Sequence, residues 1–306
     1  MYKKYLILIV LVLFVAGCAR EITEPSKGKT FIGGTSSIEF SFMEGSPPPE
    51  VYDGGTFPFE VTLNVENKGE WDVSKDDITA QLVGFYPADF GISNPADLIK
   101  SPEEDLEGAY IDSEGIVIPG TVTYINFPEL NYGGLLKGNN EFTIRAEVCY
   151  KYGTKSQADL CILKDLAETE GAICKVNERK TVESSSSPIK VENLMESVAG
   201  TGKITFSFDV VHRGTGAIYK DGSGCSDELE DKNKVKVTVN TGLDGLSCSG
   251  IDPDDYIVLY GGKRLVRCTQ DLAGITSDFE KKVYIDLEFD YERHTETDIL
   301  VKHTTG

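Results

Sequence analysis

The chain has 306 residues, and its 50 acidic against 30 basic side chains give a formal net charge of −20. A surface so acidic repels nucleic acid and anionic lipid, so no nucleic-acid partner is expected. With 40% hydrophobic and 9% aromatic residues it has core-forming material for about two domains, which excludes wholesale disorder.

The first element is an address. Lys3 and Lys4 precede an apolar run from Tyr5 to Gly17, YLILIVLVLFVAG. That run suits the apolar region of a signal peptide and is short for spanning a bilayer. It ends in Val15-Ala16-Gly17-Cys18, which resembles the lipobox of prokaryotic lipoproteins. The resemblance implies cleavage before Cys18, a diacylglycerol on its sulfur, and a membrane as the first partner. A retained anchor and plain secretion are the alternatives. No later run is apolar enough for a transmembrane helix. Residues 1–17 are thus read as signal peptide, and residues 18–30 as lipidated cysteine and polar tether.

Strand patterns follow. Ile38–Phe42 alternates and stops before Pro47-Pro48-Pro49. Phe57, Phe59, Val61, Leu63 and Val65 alternate with polar residues up to Asn67-Lys68-Gly69. Further candidates are Ile78–Phe85, Val122–Phe127, Phe142–Tyr150 and Ala158–Leu163. Short helical turns are expected at most near Pro95–Lys100 and Asp159–Ile173. The polar run Glu183–Pro188 reads as a linker or exposed crossing.

The pattern then restarts. Ile204, Phe206, Phe208, Val210, His212 and Gly216 match Phe57, Phe59, Val61, Leu63, Val65 and Gly69 at an offset of 147. Val283, Ile285, Leu287, Phe289 and Tyr291 match Phe142, Ile144, Ala146, Val148 and Tyr150 at an offset of 141. Two matches in the same order predict tandem copies of one fold, residues 31–182 and 189–306 with 183–188 between them. The fold class expected is all-β, two tandem immunoglobulin-like β-sandwich domains. The run FEVTLNVENKGE, with Asn67 and Gly69, resembles extracytoplasmic immunoglobulin-like modules of the CARDB type. Gly214 stands where the second copy should repeat Asn67. The whole chain resembles surface lipoproteins of archaea and bacteria.

Seven cysteines occur, and setting Cys18 aside leaves six for disulfides in an oxidising compartment. Cys149 and Cys161 lie symmetrically about Gly153-Thr154-Lys155-Ser156, which reads as a hairpin turn, and both point outward from their strands. They are therefore expected to pair. At an offset of 141 their places fall to Asp290 and Lys302, an expected cross-strand charge pair. Cys248 with Cys268 is the next pairing, which leaves Cys174 with Cys225.

No catalytic constellation or cofactor motif appears. His212 reads as a structural histidine at a strand end, His294 as part of a turn, RHTETD, and His303 as part of a frayed terminus. Acidic turns at Asp76-Asp77, Asp221 with Asp227, and Asp252 with Asp254-Asp255 read as solvated rather than as calcium sites; Ser226 and Lys232 break the EF-hand pattern. Trp71 reads as a packed edge residue. The expectation is a non-catalytic cell-surface lipoprotein for adhesion, envelope structure or protein–protein interaction. A solute-binding lipoprotein of a transporter is the alternative, as is a filament subunit that donates the strand near Ile38.

Overall fold

A computed structural model describes residues 28–168 and 170–304, so the expected signal peptide, Cys18 and most of the tether lie outside the described residues. Strands β1 (Ile38–Phe42), β2 (Glu50–Tyr52), β3 (Thr62–Asn67), β4 (Ile78–Val83), β5 (Ile99–Lys100), β6 (Tyr110–Ile111), β7 (Val117–Ile118) and β8 (Val122–Asn126) precede a long strand, β9 (Asn140–Ile162). Then come β10 (Glu178–Arg179), β11 (Glu183–Ser184), β12 (Ile189–Gly200), β13 (Lys203–His212), β14 (Ala217–Tyr219), β15 (Lys234–Asn240), β16 (Leu246–Ser249), β17 (Tyr256–Val258) and β18 (Lys263–Asp271). A second long strand, β19 (Phe279–Lys302), comes last. The protein is all-β, and the only helical elements among the described residues are three short 3-10 turns, one at Pro95–Leu98 where a turn was expected.

The two long strands organise everything else. β9 and β19 pair antiparallel without a register break from Phe279↔Ile162 to Val301↔Asn140. At ~3.3 Å per residue this ribbon is about 75 Å long. Its period-2 pattern puts Ile144, Ala146, Val148, Tyr150 and Tyr152 of β9 on one face with Val283, Ile285, Leu287, Phe289 and Tyr291 of β19, all buried. A sheet of order β1-β3-β8 and another of order β10-β12-β13-β18-β16 contribute Ile38, Leu63, Ile125, Phe206, Phe208 and Val266 to the same core. The ribbon itself is the centre of a nine-stranded sheet, β17-β15-β19-β9-β4-β5, with β2 and β14 added on β19 and β11 on β9. Sheet thus packs on sheet at both ends of one continuous layer.

The offset of 141 has a geometric meaning. Tyr291 pairs with Tyr150, and 291 less 150 is 141. Phe142 pairs with Ile299 while Val283 pairs with Ala158, so a half-turn about the Tyr150–Tyr291 pair carries the ribbon onto itself. Those rings meet edge to face at 5.9 Å, and such pairs add about 0.5–1.5 kcal/mol to area burial. The other offset shifts. The β1–β3 ladder ends at Ile38↔Asn67 and the β12–β13 ladder at Ile189↔His212. Just beyond, Lys68 N–H donates to Ser37 O and Arg213 N–H to Pro188 O. The equivalent places are therefore Asn67 and His212, 145 apart rather than 147. A slip of two keeps every side chain on its expected face.

The expected hairpin after Cys149 is corrected, because Gly153-Thr154-Lys155-Ser156 continues β9. Gly153 is needed for close packing, since a Cβ there would come within 2.6 Å of the Trp71 ring. Lys155 Nζ lies 5.4 Å from the same ring. Thr154 and Ser156 look like turn residues but are buried and bonded. Thr154 Oγ1 donates to Ile189 O at 2.6 Å, and the Ser156 and Ser184 hydroxyls meet at 2.8 Å. For the same reason the run Glu183–Pro188 is no exposed crossing: Ser185, Ser186 and Ser187 are buried, and Ser185 Oγ accepts from Lys155 N–H. The long strand expected over Phe57–Val65 is ordered as a ladder only from Thr62, with Phe59 bridging Leu130.

The chain enters beside the ribbon rather than at an end. Gln157 Nε2 donates to Thr30 Oγ1 at 2.6 Å, and the Ile32 and Gly33 amides donate to the Glu70 carboxylate.

Candidate interaction edge on the last strand

All six described cysteines form disulfides: Cys149–Cys225, Cys161–Cys174 and Cys248–Cys268. The third is the expected pairing, and its residues face one another in the β16–β18 register. The other two expected pairings, Cys149 with Cys161 and Cys174 with Cys225, are corrected. Cys149 and Cys161 sit on one strand, about 40 Å apart at ~3.3 Å per residue, beyond the reach of any disulfide. The expected Asp290–Lys302 pair fails for the same reason, since both lie on β19. Asp290 instead accepts from the Gly222 and Gly224 amides at 3.0 and 2.7 Å, and burial pushes its carboxyl up. Lys302 pairs with Glu50.

The acidic turns take ordinary roles. Asp252 accepts from its own Asp254 and Tyr256 amides at 3.0 and 2.7 Å, and Asp227 pairs with Lys232 at 2.9 Å. Asp76 and Asp77 fall in a 3-10 turn. His303 is not frayed, because its Nδ1 meets the fully buried Asp53 carboxylate at 2.7 Å. That contact and the Thr304 and Leu136 amides hold the Asp53 carboxyl well below its usual range. His212 closes β13, with Nε2 2.9 Å from Tyr291 Oη. Burial lowers its pKa. The same Tyr291 oxygen accepts from Gly216 N–H at 2.7 Å.

His294 marks the main departure. The run RHTETD is not a turn but the middle of β19, and His294 pairs with Glu147. Along its edge away from β9, β19 is paired with β15 over Tyr284–Glu288, with β14 over Asp290–Glu292, and with β2 over Leu300–Lys302. Between Glu292 and Leu300 that edge has no strand partner among the described residues. Alternation decides which groups face the gap. Leu300 N–H points to β2, donating to Pro49 O at 2.9 Å. Even-numbered β19 residues therefore aim N–H and C=O away from β9. His294, Glu296 and Asp298 present these groups at the open edge, and their side chains are exposed.

Two clefts bracket the gap. One of about 480 Å³ is lined by Thr215, Gly216, Ala217, Glu292, Arg293 and His294. The other, about 370 Å³, includes Phe42, Met43, Pro47, Pro49, Thr297 and Asp298. Arg293 forms the wall between core and gap, bonded to Glu39 at 2.9 Å and stacked on Phe40. The outer side is acidic. Burial, then repulsion from Glu147 and Asp227, pushes the Glu292 carboxyl up. Arg145 offsets Glu296 at 2.6 Å, and Asp298 accepts from Thr143 Oγ1.

Sequence reasoning missed this edge because the inward positions are Thr295 and Thr297, which hide the period of two that Ile299 and Val301 resume. Comparison of the chain with known protein families and with curated proteins finds no match.

Proposed function

We propose that this is a non-catalytic, lipid-anchored surface protein whose strand-rich body binds another macromolecule. The observation that carries the reading is the uninterrupted β9–β19 ribbon, whose edge away from β9 has no strand partner between Glu292 and Leu300 among the described residues. The ribbon joins both sheet pairs into one stiff body, and a stiff body presents a surface without an ordering cost on binding. Three disulfides fit an oxidising, extracytoplasmic compartment. The Val-Ala-Gly-Cys run supplies the anchor at Cys18, and the alternating strands resemble immunoglobulin-like modules. From Cys18 to Thr30 the tether reaches at most ~45 Å.

The test has two arms. Mass spectrometry of the native protein should find Cys18 at the mature N-terminus with a lipid attached; an intact Met1 and a free Cys18 thiol would reject the anchor. Calorimetry against sugars, free amino acids and metal ions should be silent. A stoichiometric small-molecule ligand of micromolar affinity would favour the solute-binding reading instead.

A further inference from the structure

We propose that the open edge of β19 at His294, Glu296 and Asp298 accepts an extended, basic segment of a protein partner as an added β-strand. The proposal rests on the binding reading above and names its site and partner class.

Four observations converge. First, the edge is competent. An edge strand that must not pair is usually blunted by a bulge, a proline, a covering loop or charge. Among the described residues only charge is present here: Arg293 inward, and Glu296 and Asp298 outward, which disfavour an acidic guest and leave a basic one admitted. The β9 ladder runs through this stretch with no register shift, the segment RHTETDI holds no proline, and the three outward side chains are exposed. Second, the gap has the right size. β14 stops at the partner of Glu292 and β2 begins at the partner of Leu300, leaving seven residues, about 23 Å at ~3.3 Å per residue. Third, the ends are open, because the clefts at Thr215–Ala217 and at Pro47–Pro49 lie where an incoming strand would enter and leave.

Fourth, the two sides of the gap specify alternate residues of a guest. On the outer side Glu292, Glu296, Asp298 and Glu147 outnumber the cation Arg145, and positions facing them favour Lys or Arg. On the inner side Phe42, Met43 and Pro47 line the second cleft, and positions facing them favour apolar or β-branched residues. Main-chain bonds to the edge would give affinity, and this alternation would give selectivity.

The probe is an acetylated, amidated heptapeptide of alternating Lys and Val, added to the full chain in detergent. Hydrogen exchange is read at single amides. Without peptide, the His294, Glu296 and Asp298 amides should exchange fast, while those of Thr295 and Thr297, bonded to β9, stay protected. With peptide, the three fast amides should become protected at saturation. Glu296→Pro removes an outward N–H with no partner among the described residues, so it should leave the Thr295 and Thr297 protection in place and abolish peptide protection at His294 and Asp298. Glu296→Lys combined with Asp298→Lys should weaken the peptide by about tenfold or more. No protection at millimolar peptide would overturn the proposal. Protection that survives Glu296→Pro would also overturn it, as binding by charge alone. The broader surface-binding reading fails differently, through a free Cys18 or a small-molecule ligand.

Discussion

Cys149–Cys225 ties the middle of β9 to the loop after β14, and its removal should cost more than that of either other disulfide. The perturbation is Cys149→Ala with Cys225→Ala. In the chain-entropy relation the benefit grows with the loop closed in the unfolded chain. The partners are 76 positions apart, against 20 for Cys248–Cys268 and 13 for Cys161–Cys174. Those separations correspond to about 4.5, 3.3 and 2.9 kcal/mol. The native loop should survive, because Asp290 still holds the Gly222 and Gly224 amides. Urea unfolding can be followed by the single tryptophan, Trp71, which packs on Gly153 of the ribbon. The expected ranking is Cys149–Cys225 first, with the other two close together behind it. Unchanged stability in that variant, or a larger loss on removing Cys161–Cys174, would show that loop length does not set the benefit. A non-reducing peptide map that links Cys149 to Cys161 would overturn the pairing itself.

Three further outcomes are expected. Gly153→Ala should destabilise by about 1–3 kcal/mol and shift Trp71 fluorescence, since the new Cβ would press on the indole. Tyr291→Phe should cost about 1–3 kcal/mol in urea unfolding, because the Gly216 N–H and His212 lose their shared partner. Glu196 is fully buried, accepting from Cys161 N–H and lying 3.2 Å from Lys180 Nζ, and burial pushes its carboxyl from 4.5 up to about 7. The folded state therefore holds that proton more tightly than the unfolded state. Its contribution is complete below the unfolded pKa and is lost as pH rises through about 7, by up to ~3 kcal/mol. Urea midpoints between pH 4.5 and 8 should show that decline in the parent chain and a shallower one in Glu196→Gln.

What was legible in the sequence was local. The alternations at Phe142–Tyr150 and Val283–Tyr291 expose both the strands and the offset that places Tyr150 against Tyr291. Cys248 and Cys268 pair as expected, and the structure supplies the reason, since their strands are adjacent in register. The misread hairpin and linker share one cause: buried positions filled by polar residues that find partners far away in the chain. Thr154 and Ser156 read as a turn because their bonds go to Ile189 and Ser184, which no local pattern reveals. Once that turn is assumed, Cys149 faces Cys161, and one strand becomes two. Thr295 and Thr297, half-buried on the inward side, concealed the open edge by interrupting the apolar alternation. Signals in a period-2 pattern survive only where the inward side is apolar.

On this reading a surface partner meets the protein at the Glu292–Leu300 edge. Photo-crosslinking on the native membrane tests it most directly. A benzoylphenylalanine in place of Glu296 should capture one protein species, and one in place of Tyr260, on the exposed turn between β17 and β18, should capture none. A crosslink at position 260 with silence at 296 would place the contact on the turn between β17 and β18 and overturn this reading.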